Sequence, residues 1–225
     1  MFGRLVLLAI ATISPARARP DGPTTPKPLV LFDGKTLDGW KRTGFLDAGV
    51  VKVDDGAIVM APGGSMTGIT STRNDLFTTN YELTYEARRL EGRDFFAAAT
   101  FPVGKSFLTF VNGGWGGTVT GLSSLDGADA SENETQTAVD YKTGIWHRFK
   151  IHVSGKAIRC WVDDKLVVGV GIEGRHLATR VESRRSEPLG FATWETGGAV
   201  RKILMRPLSA AEVAANDREA DDDNR

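Results

Sequence analysis

Glu82, Glu86 and Arg88 stand at alternate positions of Tyr81-Glu82-Leu83-Thr84-Tyr85-Glu86-Ala87-Arg88. A strand through them carries two carboxylates and a guanidinium on one face, with Tyr81, Leu83, Tyr85 and Ala87 on the other. A carboxylate takes or gives a proton, and a guanidinium beside it holds developing negative charge, which is the equipment of general acid–base catalysis. Asp94, at the start of the next apolar run, is expected to approach this face across a hairpin. The same pattern also describes a solvated, salt-bridged sheet face of little energetic consequence. Both readings stay open on the residues alone.

The stretch from Gly113 to Thr135 is the least ordinary part of the chain. Gly113-Gly114-Trp115-Gly116-Gly117 sets one indole among four glycines, and glycine lets backbone come close to a ligand. Behind it, Asp126, Asp129, Ser131, Glu132, Asn133 and Glu134 gather side-chain oxygens into nine residues. Such a loop suits polar ligand contacts or a divalent cation such as Ca²⁺, although EF-hand spacing is absent. An indole face suits the C–H side of a pyranose, so Trp115, Trp161 and Trp194 are candidate sugar platforms, with core packing as the alternative for each. His147, His152 and His176 have no zinc-site spacing, and His147 reads as a partly buried strand residue. No Gly-x-Ser-x-Gly elbow supports a Ser-His-Asp triad. The Glu-x-Asp-x-x-Glu run of paired-carboxylate glucanases is missing too, which lowers the expectation of retaining hydrolysis by two nearby carboxylates.

These residues must be positioned by strands. From Leu29 to Leu208 short apolar runs alternate with Gly, Asp, Asn and Ser clusters, and helical periodicity is absent from nearly all of it. Glycine is abundant, 26 of 225 residues, and follows no fixed period, as expected of a turn-rich β protein. Asp54-Asp55-Gly56 marks one hairpin. A two-residue turn at Ser154-Gly155 would join another, with Ile151 opposite Ile158 and Phe149 opposite Cys160. About twelve strands without crossover helices predict an all-β, antiparallel jelly-roll β-sandwich of the concanavalin A-like or laminin G-like kind.

Bulk numbers bound the rest. With 28 basic and 28 acidic residues the formal net charge is zero, which argues against a dedicated nucleic-acid binder. A lone cysteine, Cys160, excludes an intrachain disulfide framework. Residues 1–18 read as a signal peptide: a basic head, the apolar run Leu5 to Ile13, and Ala16-Arg17-Ala18 as a cleavage site. That run is too short to span a bilayer, so a secreted or periplasmic protein without a membrane span is expected. Residues 19–28 form a Pro-rich linker, 29–208 a single sandwich domain, and 209–225 an acidic tail with at most a turn or two of helix.

Leu31-Phe32-Asp33-Gly34-Lys35-Thr36-Leu37-Asp38-Gly39-Trp40 resembles the entry motif of the 3-keto-disaccharide hydrolase family, formerly a domain of unknown function. Asn80 to Arg88 resembles that family's "E.R" strand, Gly144-Ile145-Trp146-His147-Arg148 with Trp161-Val162-Asp163-Asp164 its "G.WHR" and "WVDD" hairpin, and Gly190-Phe191 through Leu208 its closing strands. Many relatives carry Asn-Ser-Gly after the "E.R" strand, where this chain reads Gly92-Arg93-Asp94-Phe95-Phe96-Ala97, so it resembles a distinct branch. The resemblance implies a concanavalin A-like sandwich that cleaves 3-keto-glycosides by elimination and water addition. Glu86, Arg88 and Asp94 would then lie near the chemistry, while Trp115, Asp126, Asp129, Glu132, Asn133, Trp161 and Trp194 contact sugar. The alternative is a non-catalytic carbohydrate-binding sandwich.

Overall fold

The computed structural model describes residues 27–223, so the expected signal segment and residues 19–26 of the linker lie outside the described residues. Fifteen strands are described: β1 (Leu29–Val30), β2 (Trp40–Arg42), β3 (Val51–Asp54), β4 (Ala57–Met60), β5 (Met66–Ser71), β6 (Tyr81–Glu91), β7 (Ala98–Val103), β8 (Ser106–Gly114), β9 (Val119–Ser123), β10 (Thr137–Ala138), β11 (His147–Val153), β12 (Ala157–Val162), β13 (Lys165–Gly171), β14 (Gly190–Trp194) and β15 (Gly197–Pro207). They form two antiparallel sheets. The first runs β13-β12-β11-β6-β15-β4-β3 with β1 beside β15, and the second runs β10-β9-β8-β7-β14-β5-β2. This is the antiparallel sandwich that the strand pattern predicts.

Alternation in β6 is strict: Tyr81, Leu83, Tyr85, Ala87 and Arg89 are buried, and Glu82, Thr84, Glu86 and Arg88 lie on the outer face. The inner faces meet through aromatic rings. Tyr85 stacks on Phe149 at 4.8 Å within the first sheet and meets the edge of Phe191 from the second at 4.8 Å. Each such ring buries enough apolar surface to contribute about 1.5–3 kcal/mol.

The β3–β4 turn forms at Asp55-Gly56, both with positive φ, as a two-residue hairpin favours. The β11–β12 hairpin differs from its expected register. Ser154 donates its N–H to the Ala157 carbonyl (3.0 Å), so the turn is Gly155-Lys156, and Ile151 pairs with Cys160 while Phe149 pairs with Val162. A shift of two residues keeps every side chain on its face, so hydrophobic pattern alone does not exclude it.

The C-terminal segment departs from the expected solvated tail. A helix, α1 (Ala210–Asp223), packs on β12 and β13. Ser209 Oγ accepts the Glu212 N–H (3.3 Å) and Glu212 Oε2 accepts the Ser209 N–H (2.7 Å), a reciprocal capping box. Asn216, 3% exposed, donates its amide to Ser154 Oγ (2.8 Å) and to the Ala157 carbonyl (3.0 Å). Arg206 joins Glu212 to Glu82, which also meets His152 Nε2 at 2.8 Å.

Hydrogen bonds from Arg206 and Ser209 hold the Glu212 carboxyl down to about 2. A depressed carboxylate contributes stability above its unfolded-state value near 4.5 and loses that contribution as pH falls toward 2. Protection of the Val213–Asn216 amides, relative to their intrinsic exchange rates at each pH, is therefore expected to be high at pH 5 and to fall toward pH 2 before that of the strands. Equal protection at both pH values would remove the capping box and Arg206 as what holds the helix.

Candidate active site on the outer face of the second sheet

The second sheet's outer face carries a pocket of about 210 Å³. Its floor is Met66 of β5, Ala98 of β7, Thr109 and Val111 of β8, Ser123 of β9 and Trp194 of β14. Alternation sets this floor: Leu108 and Phe110 turn into the core, so Thr109 and Val111 turn out. Ala98 pairs with Ala192 across β7–β14, and these two small side chains leave depth where larger ones would fill it. A volume below the usual ~300–1,000 Å³ of drug-sized sites suits a ligand of about one sugar ring.

Three connections wall the pocket. Asp94 and Phe95 come from the β6–β7 link, Trp115 from the β8–β9 turn, and Arg180, Glu182 and Ser183 from the segment before β14. Asp94 is fixed through both oxygens: Oδ1 accepts the Phe95 N–H (2.8 Å) and Oδ2 the Gly116 N–H (3.0 Å). Its own N–H goes to Thr196 Oγ1 (3.0 Å). Phe95 lies 6.3 Å from Trp194, ring to ring.

The segment between Gly171 and Gly190 works as a strap. At one end Ser124 and Ala178 exchange backbone hydrogen bonds, Asp126 Oδ1 accepts the His176 N–H (2.7 Å), and Arg175 pairs with Asp126 and Glu134 at 2.5 Å each. At the other, the Arg185 guanidinium donates to the Gly44 carbonyl (2.8 Å) and the Arg185 backbone carbonyl accepts from Thr70 Oγ1 (3.0 Å). Arg180, midway, pairs with Asp129 and with Glu182 (3.3 Å), and its guanidinium lies 5.9 Å from the Trp115 ring centre. Glu182's hydrogen bond to Arg180 raises the guanidinium further and holds Glu182 itself below the usual carboxylate range, so both are charged near neutrality. Two carboxylates, a guanidinium and two indoles thus converge on one ring-sized space, which can position a sugar, move a proton and stabilise an oxyanion.

The expected site residues divide. Asp94, Trp115 and Trp194 line the pocket, and Asp129 stands behind Arg180 with Ser124 Oγ donating to it (2.9 Å). Glu86 and Arg88 do not join them. They lie on the outer face of the first sheet, where Glu86 pairs with Arg201 (2.8 Å) and Lys202 (2.7 Å), and Arg88 and Arg201 lie 4.7 and 4.0 Å from the Trp146 ring. The expected approach of Asp94 across a hairpin fails because β6 pairs with β11 and β15, whereas β7 belongs to the other sheet. Trp161 is also on that first sheet, against His152 (4.7 Å) and Lys150 (4.2 Å).

Asn133 is buried as a clip for its own loop. Its amide donates to the Leu122 and Ala128 carbonyls, and its oxygen accepts from Thr135. Glu132 is exposed on the same loop. The carboxylates considered for Ca²⁺ are engaged by arginines: Asp126 and Glu134 pair with Arg175, and Asp129 with Arg180. Among the described residues no group of three or more His, Cys, Asp or Glu side chains is placed to hold a metal. Calcium or a chelator is accordingly expected to leave the melting temperature unchanged; a rise of several degrees with calcium would contradict the arginine-bound loop.

Residues 27–206 match the family model described as a 3-keto-alpha-glucoside-1,2-lyase-like domain. The chain belongs to that family. Among curated proteins no sequence matches it. Solved structures share its fold: the Crh5 transglycosylase in complex with NAG (12% identity, TM-score 0.55, 82% of this chain and 85% of that one) and the carbohydrate-binding module CBM66 from Bacillus subtilis (12%, TM-score 0.52, 75% and 95%). The carbohydrate recognition domain of Emp47p is similar as well (11%, TM-score 0.52, 80% and 94%). At these identities the likeness is one of fold.

Arg180, Glu182, Ser183, Phe95 and the floor residues are pocket residues that sequence reasoning passes over. One signal was present. The 18 residues separating Gly171 from Gly190 hold only a 3₁₀ turn, Glu182–Ser186, and connections of that length are usually functional.

Proposed function

We propose that the chain cleaves the C1–O bond of 3-keto-glycosides in this pocket, by elimination across C1 and C2. A ketone at C3 acidifies the C2 hydrogen and places the C1 substituent β to the carbonyl. Asp94 takes the C2 proton, and the electron pair moves into an enolate whose oxygen Arg180 stabilises. Collapse of the enolate expels the C1 oxygen, which takes a proton from water or the one that Asp94 has just accepted from C2. The product is the 1,2-unsaturated keto sugar, and addition of water across C1–C2 gives free 3-ketoglucose. Trp115 and Trp194 supply apolar faces for the ring. The observation carrying this reading is the meeting of Asp94, Glu182 and Arg180 with two indoles in one small pocket of a chain of this family. Export is part of the proposal, on the strength of the Leu5 to Ile13 run and Ala16-Arg17-Ala18.

The test is product formation from 3-keto-trehalose or 3-keto-sucrose, with the unoxidised disaccharides as controls. Release of the unsaturated keto sugar or of 3-ketoglucose from the oxidised substrates alone is expected. Glycan binding without release would make the sandwich a binding module and remove each catalytic role.

A further inference from the structure

Trp115 is 43% exposed and has φ of +49°, in the left-handed region that bulky side chains avoid. Gly113, Gly116 and Gly117 around it also have positive φ, at 72°, 89° and 128°. A backbone of this kind persists only when its surroundings hold it there, and such strain gathers at ligand-binding positions. From the pocket side, Asp94 holds it through the Gly116 N–H (3.0 Å). The other tie comes from beneath.

Arg89 is the last inward residue of β6, 7% exposed, between the sheets. Its Nη2 donates to the Gly117 carbonyl and its Nη1 to the Tyr141 carbonyl, both at 3.1 Å, and its guanidinium lies 5.3 Å from the Phe96 ring centre. Nε is buried without a hydrogen-bond partner. Burial lowers this arginine from its ordinary value, and the carboxylate of Asp94 leads the charges that oppose the fall. The fit to the turn is close: a Cβ on Gly113 would stand 2.6 Å from Arg89 Nη2 and 2.9 Å from the Gly117 oxygen. A buried cation without a carboxylate hydrogen-bonded to it is costly, and an apolar side chain would fill the space more cheaply. Its retention calls for a task, and its two carbonyl bonds name one.

We propose that Arg89 is the positioning residue for the Trp115 platform, fixing the Gly113–Gly117 turn from inside the sandwich while Asp94 fixes it from the pocket. The part of Trp115 in ligand binding rests on the function proposed above; the anchoring of the turn does not. Arg89→Lys keeps the charge but not the fork that reaches two carbonyls, and Arg89→Met removes both. In each, amide exchange from Gly114 to Val119 is expected to rise by about tenfold or more while exchange in β6 and β11 stays unchanged, as local opening requires. On a 3-keto-glycoside, KM should rise by about tenfold with kcat nearly unchanged, the mark of lost ring binding. In a Trp115→Ala background either substitution should cost less than about threefold, because both act through one turn.

A uniform rise in exchange, an unchanged turn, full additivity with Trp115→Ala, or failure of both variants to fold would overturn the proposal. If the wild-type chain turns over no keto sugar, the proposed function fails alone, and exchange at the turn still decides the role of Arg89.

Discussion

Asp94→Asn is expected to leave the sandwich folded and to lower turnover of a 3-keto-glycoside by roughly 10²–10⁴-fold, the usual worth of a positioned proton acceptor. The substitution keeps shape and removes charge. Asp94 accepts the Phe95 and Gly116 N–H groups with separate oxygens, and asparagine offers one oxygen and one amino group. One of the two N–H groups therefore loses its acceptor, a local cost of about 1–3 kcal/mol. A melting curve run beside the kinetics separates that cost from the chemistry. Glu86→Gln is the matched control. Its carboxylate meets Arg201 and Lys202 on the opposite sheet, so turnover is expected to stay within about twofold and stability to fall by no more than about 1 kcal/mol. Reversal of that pattern, with Glu86→Gln inactive and Asp94→Asn active, would return the chemistry to the first sheet and empty the pocket of its proposed role.

Why Glu86 looked the better candidate is physical. Period-two alternation fixes which residues of β6 share a face, because the partner sheet buries Tyr81, Leu83, Tyr85 and Ala87. It does not tell which of two outer faces bears a pocket. The pocket draws on β5, β7, β8, β9 and β14, and their adjacency arises from the order β9-β8-β7-β14-β5, a non-local property that no window of sequence contains. Asp94, Trp115 and Trp194 were legible by residue type, since an acidic residue beside apolar runs and an indole among glycines are locally odd. Arg180 was not. Its meaning depends on Asp129, 51 positions earlier, and on Trp115. The same separation hid the state of the acidic loop: its carboxylates are countable in sequence, but Arg175 reaches Asp126 from 49 positions away. The inward Arg89 beside the outward Arg88 follows from alternation alone, although a buried arginine is a rare expectation. At the C-terminus, Ser209-Ala210-Ala211-Glu212 is a readable capping box, whereas the Asn216 clamp on Ser154 and Ala157 needs the fold.

Gly198→Ala carries the largest expected loss of stability. A Cβ there would lie 1.8 Å from the Phe96 carbonyl oxygen and 2.9 Å from its carbon. Both atoms are backbone, so no rotamer change relieves the clash. Phe96 belongs to the link by which the chain leaves β6 in one sheet for β7 in the other, and this link is pinned on both sides of the glycine's neighbourhood. Trp194 donates its N–H to the Phe95 carbonyl (3.0 Å), and Thr196 Oγ1 accepts the Asp94 N–H (3.0 Å). Relief therefore requires either β15 or the 94–96 link to move by about an ångström, and overpacking of this severity costs about 3 kcal/mol or more. In a chain of this size the melting temperature should fall by roughly 6–12 °C. Gly155→Ala provides the comparison, since nothing lies within 4 Å of its Cβ position and its φ is not left-handed; it should be neutral or stabilising by about 0.4–1 kcal/mol. The two effects of Gly198→Ala can be told apart by assaying well below its melting temperature. If the link moves, Asp94 moves with it, and a misplacement of about 1 Å can cost 10²-fold in rate even in a fully folded enzyme. A variant that melts early yet turns over normally in the cold would mean that β15 yields instead, and that the Thr196 and Gly116 bonds hold Asp94 in place.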